Sequence, residues 1–496
     1  MNTRFSKQQT LYVLIVLLLP LFFINIRDSH DWGGDFAQYL SQAENIAEGR
    51  PHQQTNYIYL EENSMLGPPA YPVGYPILLS PVVSFFGIDF EVLMIWQTFF
   101  LFLFALISFL LFAGRLGNLL SLLLVLVMVY NPWMLRFKTE IVSDIPFSLF
   151  LLGCVYLYTV LKKDKWWQAL LLGALVAFMI MIRSMGFVFL LALVLYALCD
   201  LYKITVRKQP ESRKRLAFNT LLVAYVVIFT LISRLVFDSM GSVFGAYISS
   251  FSLLDFSRDI LHNLSYYSLI FRNFFYPAGG VWEFGSVLLA SFMIVFTLLG
   301  MIIRMVRKFS FPDLIVLVYL LVIMVYPYRG SGFRFLLPLL PFFVLYAVEG
   351  IVHFKSGFRI SNQKLLSLVG VLVLFLYLEG ILRIISEQDK HIEGPLKPEA
   401  QEVWDYIREN TPEDCTLAFF KPRVLGLFAD RKSLRAPSET GPAQLDDYYK
   451  RYGVAYLLVI DPYSPINQRN YIKHYQDSLK VVFENPRFRL YRRGDR

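Results

Sequence analysis

Charge is scarce in this chain. Of its 496 residues only 17% are Asp, Glu, Lys or Arg, while 56% are hydrophobic. Mean hydropathy is +0.49. That balance excludes an ordinary soluble globular protein, whose surface needs more charge. Cysteine is nearly absent. Cys154 and Cys199 lie in apolar segments and Cys415 near the C-terminus, which excludes a disulfide framework. The N-terminus has a basic start and an apolar stretch, 11–24, but lacks a small-x-small cleavage site before Arg27. An uncleaved first helix is expected there rather than a signal peptide. Internal repeats and low-complexity tracts are missing too.

What the chain does have is a series of apolar runs near the roughly 20 residues needed to cross a bilayer as helix. They fall near 9–26, 91–113, 117–135, 144–161, 167–183, 186–202, 217–236, 286–304, 312–327, 335–353 and 365–383. The expected fold is a polytopic α-helical membrane protein of about eleven spans. Phe is abundant, and aromatic residues mark segment ends, as in "DKWWQ" at 164–168, which suits a water–lipid interface.

The net charge of +9 is distributed in clusters: Arg4/Lys7, Lys162/Lys163/Lys165, Lys203–Arg215, Arg304/Arg307/Lys308 and Lys355/Arg359/Lys364. With the N-terminus inside, all of them face the cytoplasm, as the positive-inside rule requires. The C-terminus is then outside. The rule accounts for the basic excess, so nucleic acid is not an expected partner. A further apolar stretch, 71–87, carries Pro72, Pro76 and Pro81. A crossing there would turn the later basic loops outward, so it is expected to dip into or lie on the outer face.

Residues 390–496 change character, with shorter apolar runs and more charge. Helices are expected over 397–410 and 444–453, and strands over 415–420, 454–461 and 479–484. The expected division is a transmembrane part, 1–389, with an outer loop 27–90, and a small extracytoplasmic α/β domain, 390–496.

Acidic residues concentrate on the expected outer face. In "RDSHDWGGDFAQYLSQAENIAEGR" (27–50), apolar residues recur at helical spacing from Asp35, and Gly49 is a natural stop. An amphipathic helix over 35–48 is expected on the outer membrane surface. Asp35 reads either as its cap or as a carboxylate held for general-base work. In "KTEIVSDIPFSLFLL" (138–152), Glu140 and Asp144 stand where a span meets the outer face, and Asp144 again fits a cap. Arg183, Arg329 and Arg334 lie at other outer span ends, where snorkelling to headgroups is the plain alternative. Tyr266, Tyr267, Tyr276 and Trp282 on the outer loop suit either sugar stacking or an aromatic belt.

Five stretches occur in this order: "GGDFAQYLSQAENIAEG", "PPAYPVGYPILL", "SDIPFSLFLL", "RSMGFVFLLALVLYAL" and "FRFLLPLLPFF". Together, over roughly 30–350, they resemble the polytopic GT-C glycosyltransferases, in particular the protein O-mannosyltransferase and lipid A aminoarabinose transferase-like group. Each stretch alone is weak; their order, spacing and sidedness carry the resemblance. It implies Asp35 as catalytic base, in the pattern Asp-x-x-x-Tyr that ends at Tyr39. It also implies Asp144 as a second acid, orienting substrate or holding a divalent metal if one is used, with no cofactor otherwise required. Arg183 and Arg334, with Arg329 beside it, would face the donor phosphate. Tyr39, Glu140, Tyr267 and Trp282 are candidate sugar or acceptor contacts. The chain departs at Gly67-Pro68-Pro69, where the aminoarabinose transferases carry Lys-Pro-Pro.

The implied reaction moves a sugar from a polyprenyl-phosphate donor to a glycolipid, protein or glycan acceptor on the extracytoplasmic face. A carboxylate takes the acceptor proton while guanidinium groups hold the leaving phosphate. The alternatives are a transporter or flippase of lipid-linked or small solutes, and a non-catalytic scaffold. Transport is disfavoured because charges avoid mid-span positions. The expected location is a bacterial inner membrane, with an archaeal membrane as the lesser option.

Overall fold

The computed structural model describes residues 6–60, 67–209, 212–237, 253–272, 283–326, 332–354, 361–390, 392–437 and 440–494. The chain forms two compact units. One gathers Met1–Ile26, Met94–Asp238 and Phe244–Gln388; the other is made chiefly of Arg27–Leu93 and Asp389–Arg496. The outer loop therefore folds with the tail. Hydropathy grouped it with the spans because it is flanked by them in sequence.

In the first unit, six helices are long and apolar enough to cross a membrane: Phe90–Leu116, Ser184–Thr205, Ser212–Phe237, Val287–Arg307, Phe333–Phe354 and Asn362–Glu387. Five other expected runs are shorter helices: Lys7–Phe22, Asn118–Val129, Asp144–Val160, Trp166–Ile182 and Phe311–Met324. One cause of shortening is visible at 117–135. The Asn118–Val129 helix stops before Asn131-Pro132, and the Asn131 side chain accepts from the Trp133 and Met134 amides to start a new helix, Pro132–Phe137. Small residues allow close packing between helices. A Cβ at Gly300 would lie 1.8 Å from the Tyr346 carbonyl oxygen, and one at Gly350 would lie 2.1 Å from that of Phe296. The two backbones touch there, as small residues permit inside a bilayer.

The second unit carries a five-stranded sheet, ordered β2-β1-β3-β5-β4. The strands are β1 Thr416–Ala418, β2 Lys432–Leu434, β3 Val454–Ile460, β4 Leu479–Glu484 and β5 Phe488–Arg493. β1 lies parallel to β2 and β3, while β5 runs antiparallel to β3 and β4. The loop joins this sheet. The Ile58 amide donates to the Ser433 carbonyl at 2.9 Å, and the Ser433 amide donates to that of Asn56 at 2.8 Å. Trp32 packs among Trp404, Phe419, Phe420 and Phe488, with ring centroids 5.6–6.4 Å from its own.

The expected juxtamembrane helix is present as Asp35–Ala47. It does not lie loose on a surface. Its apolar side buries Phe36, Ala37, Tyr39, Leu40 and Ala43, and Gln38, Gln42 and Asn45 are buried as well. The amides are spent on the loop that follows. Gln38 Nε2 donates to the Pro69 carbonyl at 2.7 Å. Gln42 accepts from the Tyr71 amide and donates to its carbonyl, both at 2.9 Å. The 71–87 stretch forms a helix, Gly74–Phe86, of 13 residues around Pro81. At 1.5 Å per residue it is about 20 Å long, short of a hydrocarbon core of about 30 Å.

Candidate functional site

Two charged clusters hold four of the sequence-predicted residues, Asp35 in the second unit and Asp144, Arg183 and Arg334 in the first. In the second unit the helix starts on Asp35 itself, with Gly34 as the N-cap residue. The side chain of Asp35 is about a third exposed. Its Oδ1 accepts a hydrogen bond of 2.6 Å from the Tyr71 hydroxyl. Tyr71 is presented there by the paired Gln42 bonds to its backbone. Burial pushes its phenol well above the ordinary value, outweighing the opposite pull of Arg423, so the phenol stays protonated and donates.

Arg423 completes this cluster. It comes from the short helix Pro422–Ala429, directly after β1. Its Nη1 donates to the Tyr71 hydroxyl at 2.8 Å and lies 3.5 Å from Asp35 Oδ1. Nη2 donates to the Pro68 carbonyl at 3.1 Å. The guanidinium is sandwiched between Tyr57 and Tyr71, 4.8 and 4.9 Å from the ring centroids. Burial works against its charge, but Tyr71, Asp35 and Tyr57 together outweigh that and favour the cation. The sequence offered no signal for Arg423 beyond a Pro-Arg step after a strand. Tyr71 carried none either.

Gly67 now has a physical explanation. Its φ is +89°, and a Cβ there would lie 2.8 Å from Arg423 Nη2 and 3.3 Å from the Tyr71 hydroxyl. Arg423 fills the space that a side chain at 67 would need. Tyr39 was a candidate sugar contact. Its ring is instead stacked on Tyr71 at 4.6 Å with its edge against Tyr75, and it is buried. That face is closed to a sugar.

In the first unit Asp144 begins the Asp144–Val160 helix, with Ser143 as the N-cap residue, so Asp144 is not the cap. It is 1% exposed and bound by two arginines. Arg183 Nη1 lies 2.5 Å from Oδ1; Arg334 reaches Oδ2 through Nη2 at 2.9 Å and Nε at 3.1 Å. Arg183 is the C-cap residue of Trp166–Ile182, in extended backbone. The Phe335 ring lies 5.1 Å beneath its guanidinium. Arg334 sits in the tight turn Phe333–Phe335, held from behind by a 2.7 Å bond from the Gly332 amide to the Tyr266 hydroxyl. Neither arginine is a loose snorkelling side chain. Two cations meet one carboxylate at the start of a helix, where the macrodipole also favours the anion.

That arrangement does not suit a metal at Asp144, because both of its oxygens already meet guanidinium groups and a divalent cation would face two fixed positive charges. Tyr267 is buried in Leu253–Arg272 with its ring edge-on to Tyr266 at 5.3 Å. It is packed rather than presented as a stacking platform. Burial raises its phenol, with the Arg183 charge pulling the other way. Glu140 is half-buried on the turn between the Pro132–Phe137 and Asp144–Val160 helices. Arg329, Tyr276 and Trp282 lie outside the described residues.

Lys138, on the same turn, is fully buried. Its ammonium donates to Thr98 Oγ1 at 3.2 Å, and burial pushes its pKa down to about 7.

No protein-family profile matches the sequence, and no curated protein matches it by sequence. Solved structures do match in fold. The chain is similar to ArnT from Cupriavidus metallidurans bound to undecaprenyl phosphate, at 11% identity and a TM-score of 0.57 over 97% of each chain. It is similar to the Archaeoglobus fulgidus oligosaccharyltransferase in complex with Zn and sulfate, at 14% identity and TM-score 0.56, over 91% of this chain and 68% of that one. The arabinofuranosyltransferase AftD from Mycobacteria matches all of this chain with 42% of its own length, at 12% identity and TM-score 0.53. The fold is therefore one shared with these solved structures.

Proposed function

We propose that the protein is a membrane glycosyltransferase that moves a sugar from a polyprenyl-phosphate donor to an acceptor hydroxyl. Asp35 is the general base in this reading. As the acceptor oxygen attacks the anomeric carbon, its proton passes to Asp35 and the bond from that carbon to the phosphate oxygen breaks. The electron pair leaves with the phosphate, and one in-line displacement inverts the anomeric centre. Arg183 and Arg334 stabilise the leaving phosphate, and Asp144 aims them. Guanidinium forks match phosphate oxygens, and fixed cations facing growing charge supply several kcal/mol in a dry site. No step is assigned to a divalent metal.

The observation that carries the proposal is the Asp35 cluster. A partly exposed carboxylate is oriented by a protonated phenol and a buried arginine, in a chain whose fold matches ArnT along 97% of its length. The acceptor class stays open among protein, glycolipid and glycan. The proposal includes the eleven-span topology, with the N-terminus cytoplasmic and the tail on the outer side of a bacterial inner membrane. Charged pairs at helix ends, such as Asp144 with Arg183, support an enzyme over a transporter or flippase, which places ionisable groups at mid-depth.

Native mass spectrometry of the detergent-purified protein with undecaprenyl phosphate tests the reading. Binding by the wild type that weakens in Arg334→Ala is expected. Absence of binding by the wild type would remove the donor site and leave transport as the better account.

A further inference from the structure

The chemistry proposed for Asp35 leaves one buried group unused. Arg423 is 6% exposed, and its Nε is buried without a hydrogen-bond partner among the described residues. A buried cation is costly unless its partners repay it. Here the partners are a neutral phenol, a backbone carbonyl, two ring faces and one carboxylate oxygen at 3.5 Å. None is a close ion pair. A methionine would fill much of that space with less desolvation. The arginine is therefore better explained by what it does to Asp35.

We propose that Arg423, carried by the tail domain, is a positioning residue for Asp35, acting through the Tyr71 hydroxyl to fix the direction of the carboxylate and to keep it ionised. The inference rests on the reading of Asp35 as the base. The chain of contacts is directional. Arg423 Nη1 donates to the Tyr71 oxygen, which compels the Tyr71 hydrogen to point the other way, at Asp35 Oδ1. A donor that is itself polarised makes a stronger hydrogen bond. Nη2 locks on the Pro68 carbonyl, so the guanidinium cannot swing toward solvent. Gly67 is part of the device, since any side chain there would press on Nη2 and the Tyr71 hydroxyl. The tail thus supplies a component of the proposed reaction centre.

Among the described residues, the charged and titratable groups around Asp35 include Tyr71, Arg423 and Lys421, with Tyr39 acting on Tyr71, Tyr57 on Arg423, and Asp31 on Lys421 from the neighbouring turn. Lys421 is lowered by burial, and Asp35 and Asp31 pull it the other way. Among these cations Arg423 alone reaches both Tyr71 and Asp35 in the described contacts.

The test does not need the sugar or the acceptor. Carbodiimides label carboxyl groups in the protonated form. The full-length protein in detergent is labelled across pH 4–8, and modification at Asp35 is read by peptide mass spectrometry. Arg423→Met is expected to move the half-labelling pH of Asp35 upward by about 1 unit or more, since an opposite charge within 4–6 Å is lost. Arg423→Lys keeps a charge and is expected to recover most of that shift. Tyr71→Phe and Gly67→Ala, which break the relay at other points, should move it in the same direction by less. A thermal melt separates misfolding from the specific effect. A labelling curve for folded Arg423→Met that overlays the wild type would overturn the proposal. So would equal shifts in Arg423→Lys and Arg423→Met. If Arg423→Met does not fold, an unchanged curve in both Tyr71→Phe and Gly67→Ala is the overturning result. Undecaprenyl phosphate binding is measured on the same samples. Its absence would count against glycosyl transfer, while the labelling curve would still decide whether Arg423 governs Asp35.

Discussion

Asp35 and Asp144 stand at the same kind of position, the first residue of a helix, yet their surroundings are opposite. Asp35 is about a third exposed, accepts a hydrogen bond from a phenol and lies 3.5 Å from Arg423. Asp144 is 1% exposed and is gripped directly by two guanidinium groups. The first carboxylate remains within reach of water. The second is a buried counter-charge that two arginines share. Helix position alone does not assign a role to an acid; the number of cations and the access of water do.

The sharpest way to break this contrast is to neutralise each acid in turn. Asp35→Asn should leave the fold intact, leave undecaprenyl phosphate binding near wild type and lower turnover about 10²–10⁴-fold, the usual range for a general base. A product assay with the purified protein checks it, and near-normal turnover would remove Asp35 from the chemistry. Asp144→Ala should do the reverse. It leaves two guanidinium groups without their shared anion and should cost about 3–5 kcal/mol of stability, seen as a lower melting temperature. An unchanged melt would mean the cluster is better hydrated than its burial implies. Arg334→Ala, which spares one of the two cations, should weaken undecaprenyl phosphate about tenfold, as expected for one lost charge-assisted contact.

Lys138 sharpens the comparison from the other side, as a buried cation held by a hydroxyl instead of a carboxylate. Its pKa falls from 10.5 to about 7 in the folded state. Between those values the unfolded chain binds more protons, so stability rises with pH from about 7 toward 10.5 and is lowest below 7. Lys138→Met should flatten that slope in melts taken at pH 6, 7.5 and 9. A slope that persists in the variant would assign it to another group.

Much of the architecture was legible. Apolar runs located the helices because hydropathy is a local property, and the helix expected over 35–48 appears as Asp35–Ala47. In the tail, the strands expected at 415–420, 454–461 and 479–484 are β1, β3 and β4. β2 and β5 were missed. β2 is three residues long, and β5 is the run FRLYRR, whose basic residues mask its alternation. The helix that carries Arg423 was missed as well, since eight residues give little periodicity to read. The buried face of Gln38, Gln42 and Asn45 was equally hidden, because an amide in a helix gives no sign of the backbone it will hold.

By itself, the sequence determined that this chain is helical and membrane-spanning, that its acids and arginines gather at helix ends, and that its tail is a small α/β fold. Those properties follow from composition and spacing over tens of residues. Only the tertiary structure decided which charges meet. Arg423 and Tyr71 are 352 positions apart in the chain and 2.8 Å apart in space. Asp144 and Arg334 are separated by 190 positions. Contacts at that range are set by how the whole chain packs, and hydropathy and periodicity carry no record of them.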